Sequence, residues 1–290
     1  MTDRPAHPVK GVDHVFLLIN DLDRGASQFR ALGFTVSPRG MHSAHKGSAN
    51  HTIMFPHDYV ELLGLVAETE ENAPRRATLA EQGEGLHAVA CRIDNAAAAE
   101  TALAAHGIPT EGLGDFSRPV PLADGRSADA AFSTLQFARE AVPFGTCFMC
   151  QHKTRELVWQ KELVTHGNGA VGLAGILAGV PDPQTAGHGY ARLFADGRAV
   201  PIDGGCRVET GPGSAPLILL TPDALAAHYP SIDLAATPRG AFAGMQIRVS
   251  DTGRARSCLT ANGLTCVDTE AGILVGPEAT GGAILEFVGP

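Results

Sequence analysis

Several protein classes are excluded by what the 290 residues hold little of. Cysteine is scarce. Its six residues are too few and too scattered for a disulfide scaffold, and most lie in apolar runs, as Cys91 does in LHAVACRI, so reduced core thiols are expected. Positive charge is outweighed, with 22 Lys and Arg against 31 Asp and Glu and a formal net charge of -9. That balance repels a phosphate backbone and argues against nucleic acid as a partner. No segment offers the roughly 18 uninterrupted apolar residues of a membrane helix. The opening stretch MTDRPAHPVKGVDH lacks a long apolar run after a basic start. No membrane partner and a cytoplasmic location are therefore expected.

What remains is a folded chain. A hydrophobic fraction of 44% with 18% charged residues supplies enough apolar surface to offset the entropy of ordering, and the length suits two domains. One cysteine pair has suggestive spacing, Cys147 and Cys150 in GTCFMCQH. It falls in an expected strand, where residues three apart point to opposite faces, against a shared redox or zinc site.

Four segments share a strand, an Asp or Asn near its end and a helical stretch. They are DHVFLLINDLDRGASQFRALGF, LHAVACRIDNAAAAETALAAHGI, LAGILAGVPDPQTAGHGYARLFA and GMQIRVSDTGRARSCLTANGL. In the first, Asp21 caps the helix, Leu22, Ala26, Phe29 and Leu32 share one face, and Gly33 ends it. The second repeats this with Ala98 and Leu103 and a stop at Gly107, and the fourth closes at Gly263. Short strand candidates follow, FTVSP, NHTIMF and YVELLGLV early and CVDT, AGILVGP and AILEFV late. The repeating unit is βαβββ.

With its opening DHVFLLINDLD, the helix end ALGF, the segment GMHSAHKGSANHTIMF and the strand YVELLG, the chain resembles the vicinal oxygen chelate superfamily, in its glyoxalase-like branch. The resemblance implies an α+β fold in which four βαβββ modules pair into two open, curved mixed sheets. It places an N-terminal glyoxalase-like domain at 8–152, a linker at 153–169 and a degenerate C-terminal one at 170–290.

The resemblance also implies a divalent metal (Fe, Mn, Ni or Zn) on the concave face. Carried over position by position, it names His14 and His87, each seven residues before its Asp, and Glu61 on the last strand of module one. Glu61 shares its face with Tyr59 and Leu63, and a carboxylate in an apolar strand is costly to bury without a partner or cation. Two imidazoles and a carboxylate leave coordination positions open for substrate oxygens. Module two ends in TCFMCQHKT without a glutamate, so Gln151 is the better placed fourth donor, and His152, the better ligand by chemistry, is otherwise an expected catalytic or substrate-binding residue. Seven residues before Asp182 and Asp251 stand Gly175 and Gly244, so the second half cannot hold the same site, although Glu286 echoes Glu61. That half is expected to pack against the first, cover its cleft or support a homodimer.

The stretch RGMHSAHKGSANHTIMF gathers His42, His45, Lys46, Asn50 and His51 between Gly40 and Phe55. Asn50 and His51, then His42, are the expected donors to a substrate, and an imidazole there would suit proton transfer. A hairpin turn is expected at Asp124 and Gly125, and Trp159 is expected to anchor the linker. The leading expectation is a metal-dependent lyase or isomerase acting on a small oxygenated organic molecule. Alternatives are an extradiol-type dioxygenase, a metal-free binding protein of the drug-resistance type, and an assembly module.

Overall fold

The computed structural model describes residues 4–122 and 125–290. Each βαβββ repeat folds as a unit. Module one comprises β1 (Val12–Ile19), α1 (Leu22–Ala31), β2 (Gly40–Met41), β3 (Ser48–Met54) and β4 (Tyr59–Leu65). After α2 (Ala73–Gln82), module two comprises β5 (Gly85–Arg92), α3 (Ala96–Ala105), β6 (Thr110–Pro121), β7 (Ser127–Phe137) and β8 (Thr146–His152). The short α4 (Arg155–Val158) leads to module three, which is β9 (Ala170–Gly179), α5 (Pro183–Ala191), β10 (Arg198–Ile202), β11 (Gly205–Glu209) and β12 (Leu217–Leu220). After α6 (Pro222–His228), module four is β13 (Gly244–Val249), α7 (Thr252–Ala261), β14 (Val267–Asp268), β15 (Gly272–Val275) and β16 (Ile284–Val288).

The modules pair into two eight-stranded mixed sheets, ordered β2-β3-β4-β1-β5-β8-β7-β6 and β10-β11-β12-β9-β13-β16-β15-β14. In each, an antiparallel pair of first strands joins the two modules, and each first strand also pairs in parallel with its own module's last strand. The result is an α+β fold of four modules in two curved sheets, in which the second sheet repeats the order of the first.

Local chemistry explains the helix limits. Asp21 accepts a hydrogen bond from Arg24 N at 3.0 Å, and Leu22, Ala26, Phe29 and Leu32 are buried. Gly33 ends the helix at φ +89°, a conformation that favours glycine. In module two the cap is Asn95, which accepts from Ala98 N at 2.8 Å, so Asp94 lies outside the helix and Ala98 faces solvent. The expected strand FTVSP does not form. Pro38 has no N–H to give, and Ser37 instead ties this stretch to β3 through Ser37 N to Thr52 O and Thr52 N to Ser37 Oγ. Only Gly40–Met41 pairs as β2. Asp124 of the expected hairpin lies outside the described residues, while Gly125 donates to the Leu122 carbonyl at φ +81°.

The alternation of β1 and β4 divides their side chains. Val15, Leu17, Val60 and Leu62 join Phe29 of α1, Leu103 of α3 and Ile176, Met245, Ile247 and Leu285 of the second sheet in one apolar core. His14, Phe16, Tyr59, Glu61 and Leu63 line a cavity on the opposite face. The second half therefore packs behind the first and leaves the concave face free of it. Trp159 donates to the Phe55 carbonyl at 2.9 Å and packs edge-on against Tyr59 and His152. Among the described residues, no helix is long and apolar enough to cross a membrane.

Candidate active site

A β-bulge sets the centre of the site. β1 meets β5 through Val12 opposite Cys91 and His14 opposite Ala90, so Asp13 is an extra residue, and a bulge of this kind re-aims side chains. Asp13 thus reaches its own neighbour. His14 Nδ1 donates to Asp13 Oδ1 at 2.8 Å, and His152 Nε2 donates to the same oxygen at 2.9 Å. Arg92 Nε lies 3.6 Å from the other oxygen. Burial opposes the charge on Asp13, but His152 and His14 overcome it and hold the carboxyl well below the usual carboxylate range.

With Nδ1 bonded to a carboxylate, His14 turns its Nε2 to the cavity. That atom stands 3.7 Å from Glu61 Oε2. The Tyr59 ring stacks on the imidazole, centroids 4.2 Å apart at 18°. Glu61 accepts from Asn50 Nδ2 at 2.6 Å. Burial would raise its pKa, yet His14, His42, the Asn50 bond and Arg118 together lower it, so the carboxylate stays charged.

The cavity has a volume of about 180 Å³. Phe148 packs edge-on against His14 with Phe16 tilted against it, and Phe116 stacks on Phe132 at 4.9 Å. Lys46, Arg75 and Arg118 also line it, as does His42, whose Nδ1 pairs with Ser48 Oγ at 2.8 Å. Burial pushes the His42 pKa down to about 4, leaving a neutral imidazole.

The other expected site residues are placed differently. His87 borders the cavity but is the extra residue of a bulge in β5, between Phe16 opposite Ala88 and Leu17 opposite Leu86. Its Nε2 donates to the Gly83 carbonyl at 2.8 Å. Because the α3 cap is Asn95, the residue seven before it is Ala88, and Ala88 is the counterpart of His14. Phe16 faces Glu61 in β4, and Ala90, at the same distance from its cap, faces Phe148 in β8. Phe148 is therefore the counterpart of Glu61. Gln151 points away from the cavity and accepts from Ala96 N at 3.0 Å, serving the start of α3. His51 also points away, its Nδ1 bonded to the Ser37 carbonyl at 2.7 Å. His152 lies behind Asp13 against Phe132 and Trp159 and does not line the cavity.

The set His14, Glu61, His87 and Gln151 is thus not assembled as a metal site. His14 and Glu61 are two facing donors, and β5 and β8 answer them with Ala88 and Phe148. Among the described residues, one group of His, Cys, Asp or Glu brings three potential ligand atoms within 4.8 Å of one another, namely Asp13, His14 and His152. It is a possible metal site of unassigned identity. Its hydrogen bonds place protons where a cation would sit, and only His14 among its members borders the cavity.

Asp13, Arg118 and Phe148 are not singled out by the sequence. Asp13 carries one signal, a carboxylate next to His14 at a strand start. Neighbours on a regular strand face opposite ways, and only the bulge joins them.

In the second sheet Gly175 and Gly244 leave no imidazole. A Cβ on Gly244 would stand 2.2 Å from the Ile284 carbonyl oxygen. Glu286, the counterpart of Glu61, is fully buried and receives Tyr229 Oη at 2.9 Å, Gln246 Nε2 at 2.8 Å and Thr269 Oγ1 at 2.5 Å. Three neutral donors satisfy it, so it is a structural carboxylate.

Comparison with known proteins agrees with this architecture. The family model of a glyoxalase-like domain matches residues 12–194. No curated protein sequence matches the chain. Among solved structures, a hypothetical protein from Staphylococcus aureus aligns with TM-score 0.67 at 13% identity, covering 96% of this chain and 99% of that one. A mutant 4-hydroxymandelate synthase from Streptomyces coelicolor aligns with TM-score 0.61 at 12% identity, covering 97% and 93%. An extradiol ring-cleaving dioxygenase from B. fuscum aligns with TM-score 0.56 at 14% identity, covering 98% and 73%. At these identities the likeness is one of fold.

Proposed function

The chain belongs to the glyoxalase-like domain family, and from that premise we propose that the concave face of its first sheet is the active site of an enzyme that moves a proton on a small oxygenated organic substrate, an isomerase or lyase in reaction type. The observation that carries this reading is the orientation of His14. A buried carboxylate engages its Nδ1, its Nε2 faces the cavity, and a charged Glu61 stands 3.7 Å away to stabilise the imidazolium form.

The step follows from these groups. His14 Nε2 takes a proton from the carbon next to a substrate carbonyl, and the C–H electron pair moves toward the carbonyl oxygen. The cationic side chains of Lys46 and Arg118 are on hand for the developing negative charge. Delivery of the proton to another carbon of the anion completes an isomerisation, and departure of a β-substituent with its own bonding pair, as the enolate pair forms the C=C bond, completes an elimination. No part of this sequence passes through a metal, because the cavity supplies two facing donors rather than a ligand set.

Dioxygenation is the second reading. The Asp13, His14 and His152 group is the observation that favours it, together with the fold shared with the synthase and the ring-cleaving enzyme.

The test is hydrogen–deuterium exchange, followed by proton NMR in D₂O, on a panel of carbonyl compounds with acidic α-hydrogens. Enzyme-catalysed exchange that falls about a hundredfold or more in His14→Gln, the range expected for losing a general base, supports the proposal. Exchange unaffected by His14→Gln and Glu61→Gln would overturn it.

A further inference from the structure

The cavity holds a cation that no anion contacts, Glu61 acting on it only from a distance. Arg118 sits on β6 with only 8% of its surface exposed, and no described side chain forms a hydrogen bond or ion pair with its guanidinium. It lies instead over the Phe132 ring, 5.9 Å from the centroid. A buried charge without a partner is costly to keep, so its place in the fold points to a partner that comes from outside.

The surroundings are shaped to admit it. Gly40 on β2 lies beneath the guanidinium, and a Cβ there would stand 2.6 Å from Arg118 Nη1 and 2.5 Å from Asn50 Oδ1. Glycine at this position of edge strand β2 lets Arg118, from the opposite edge strand β6, and Asn50 of the neighbouring β3 come close over it. Glu61, the cavity's own carboxylate, is occupied by Asn50 and His14 and lies beyond ion-pair reach of Arg118. Lys46 adds a second cation, its Nζ 3.7 Å from the centroid of Phe116 and in no ion pair among the described residues, with Glu71 and Glu61 attracting it only from a distance. Arg75 stands at the exposed rim. Three cations and one engaged carboxylate leave this cavity positive in a chain whose formal net charge is -9.

The apolar lining is equally specific. Phe116 and Phe132 form a stacked slab, and Phe16 and Phe148 lie across the space beside His14. A cavity of about 150 Å³ admits a benzene ring, and this one measures about 180 Å³.

We propose that the cavity selects a small planar organic carboxylate, with the carboxylate held by Arg118 and Lys46 and the planar part lodged among Phe16, Phe116, Phe132 and Phe148. A guanidinium offers two parallel N–H donors that match a carboxylate, and Lys46 adds a point charge. The inference rests on the same cavity as the proton-transfer reading and names the class of molecule it takes.

Binding separates the two. Phenylacetate and its uncharged counterpart phenylacetamide are titrated into the wild type by calorimetry and ligand-observed NMR, with no turnover required. The acid should bind at least about tenfold more tightly than the amide. Arg118→Gln should weaken the acid about tenfold to a hundredfold, the loss expected for charge-assisted hydrogen bonds, and leave the amide unchanged. Lys46→Met, on the more accessible side, should weaken the acid by a smaller factor and serves if Arg118→Gln does not fold. His14→Gln should keep the preference for acid over amide even as it removes proton exchange, so a failed exchange experiment does not touch this result. Equal binding of acid and amide, acid binding indifferent to both cation variants, or no binding of either compound at millimolar concentration would overturn the proposal.

Discussion

His87 occupies in the second module the place that Asp13 occupies in the first. Each is the extra residue of a bulge in its module's first strand, and each stands eight residues before its helix cap, Asn95 and Asp21. Ala174 repeats the relation in module three, eight before Asp182. Three of the four modules keep the bulge and vary its occupant. In module one the occupant orients the histidine that follows it, whereas in module two the residue that follows is Ala88.

Metal uptake follows from this placement. A divalent cation taken up by the protein should use Asp13, His14 and His152, whose ligand atoms already lie close together. Titration with Zn²⁺ or Ni²⁺ should show binding weakened in His152→Gln and unchanged in His87→Gln, whose imidazole is turned to the Gly83 carbonyl. The reverse pattern would return the β5 histidine to the ligand set.

Asp13→Asn probes the orientation of His14. The substitution removes the charge facing Arg92 and gives His14 and His152 an amide in place of their shared acceptor. Breaking a buried ionic network from one side costs about 3–5 kcal/mol, which urea unfolding at neutral pH should register. Proton exchange on substrate should also fall in whatever fraction remains folded, because the His14 tautomer is no longer fixed. Wild-type stability together with a wild-type exchange rate in Asp13→Asn would remove Asp13 from the site.

Much of the architecture is legible from repetition. Caps at Asp21, Asp182 and Asp251 and the stop at Gly33 are set by short-range chemistry, and the alternation in YVELLG correctly puts Tyr59, Glu61 and Leu63 on one face. The site is legible only in part because a bulge moves every later residue by one position, and nothing local marks it. Counting back from Asp94 instead of Asn95 brings His87 into line with His14. His51 and Gln151 fail for the same kind of reason, since strand alternation sends each to the face away from the cavity. Arg118 escapes notice because its meaning depends on Gly40, which is distant in sequence and adjacent only across the sheet edges.

His42 makes stability depend on pH in a defined direction. Burial, the largest influence, lowers its pKa from an unfolded value of 6.5 to about 4. Between those values the unfolded chain binds a proton that the folded one refuses, so stability is present above pH 6.5 and is lost as pH falls toward 4. The slope is about 1.4 kcal/mol per pH unit, or about 3 kcal/mol in all. His42→Gln should flatten this part of the profile, measured as the difference in urea midpoint between wild type and variant at pH 7 and pH 4.5. A constant difference across that range would mean that His42 titrates normally.

Asp58 acts in the opposite sense and at the junction of the two halves. Its Oδ1 accepts from Leu173 N of β9 at 3.0 Å, and it is 6% exposed. Burial raises its pKa from 3.8 to about 6, with the Leu173 bond and Arg92 countering in part, Asp13 adding to the rise and Arg248 opposing it. Here the folded chain holds the proton more tightly than the unfolded one. The contribution is favourable below about pH 4 and is lost as pH rises through 6, so that at pH 7 the ionised carboxylate costs about 3 kcal/mol. Asp58→Asn keeps an oxygen for Leu173 N and removes the charge. The variant should therefore be more stable than wild type at pH 7, by up to about 3 kcal/mol, and equal to it near pH 4. A loss of stability at pH 7 would show instead that attraction to Arg92 and Arg248 outweighs burial and that the ionised carboxylate helps to hold the two sheets together.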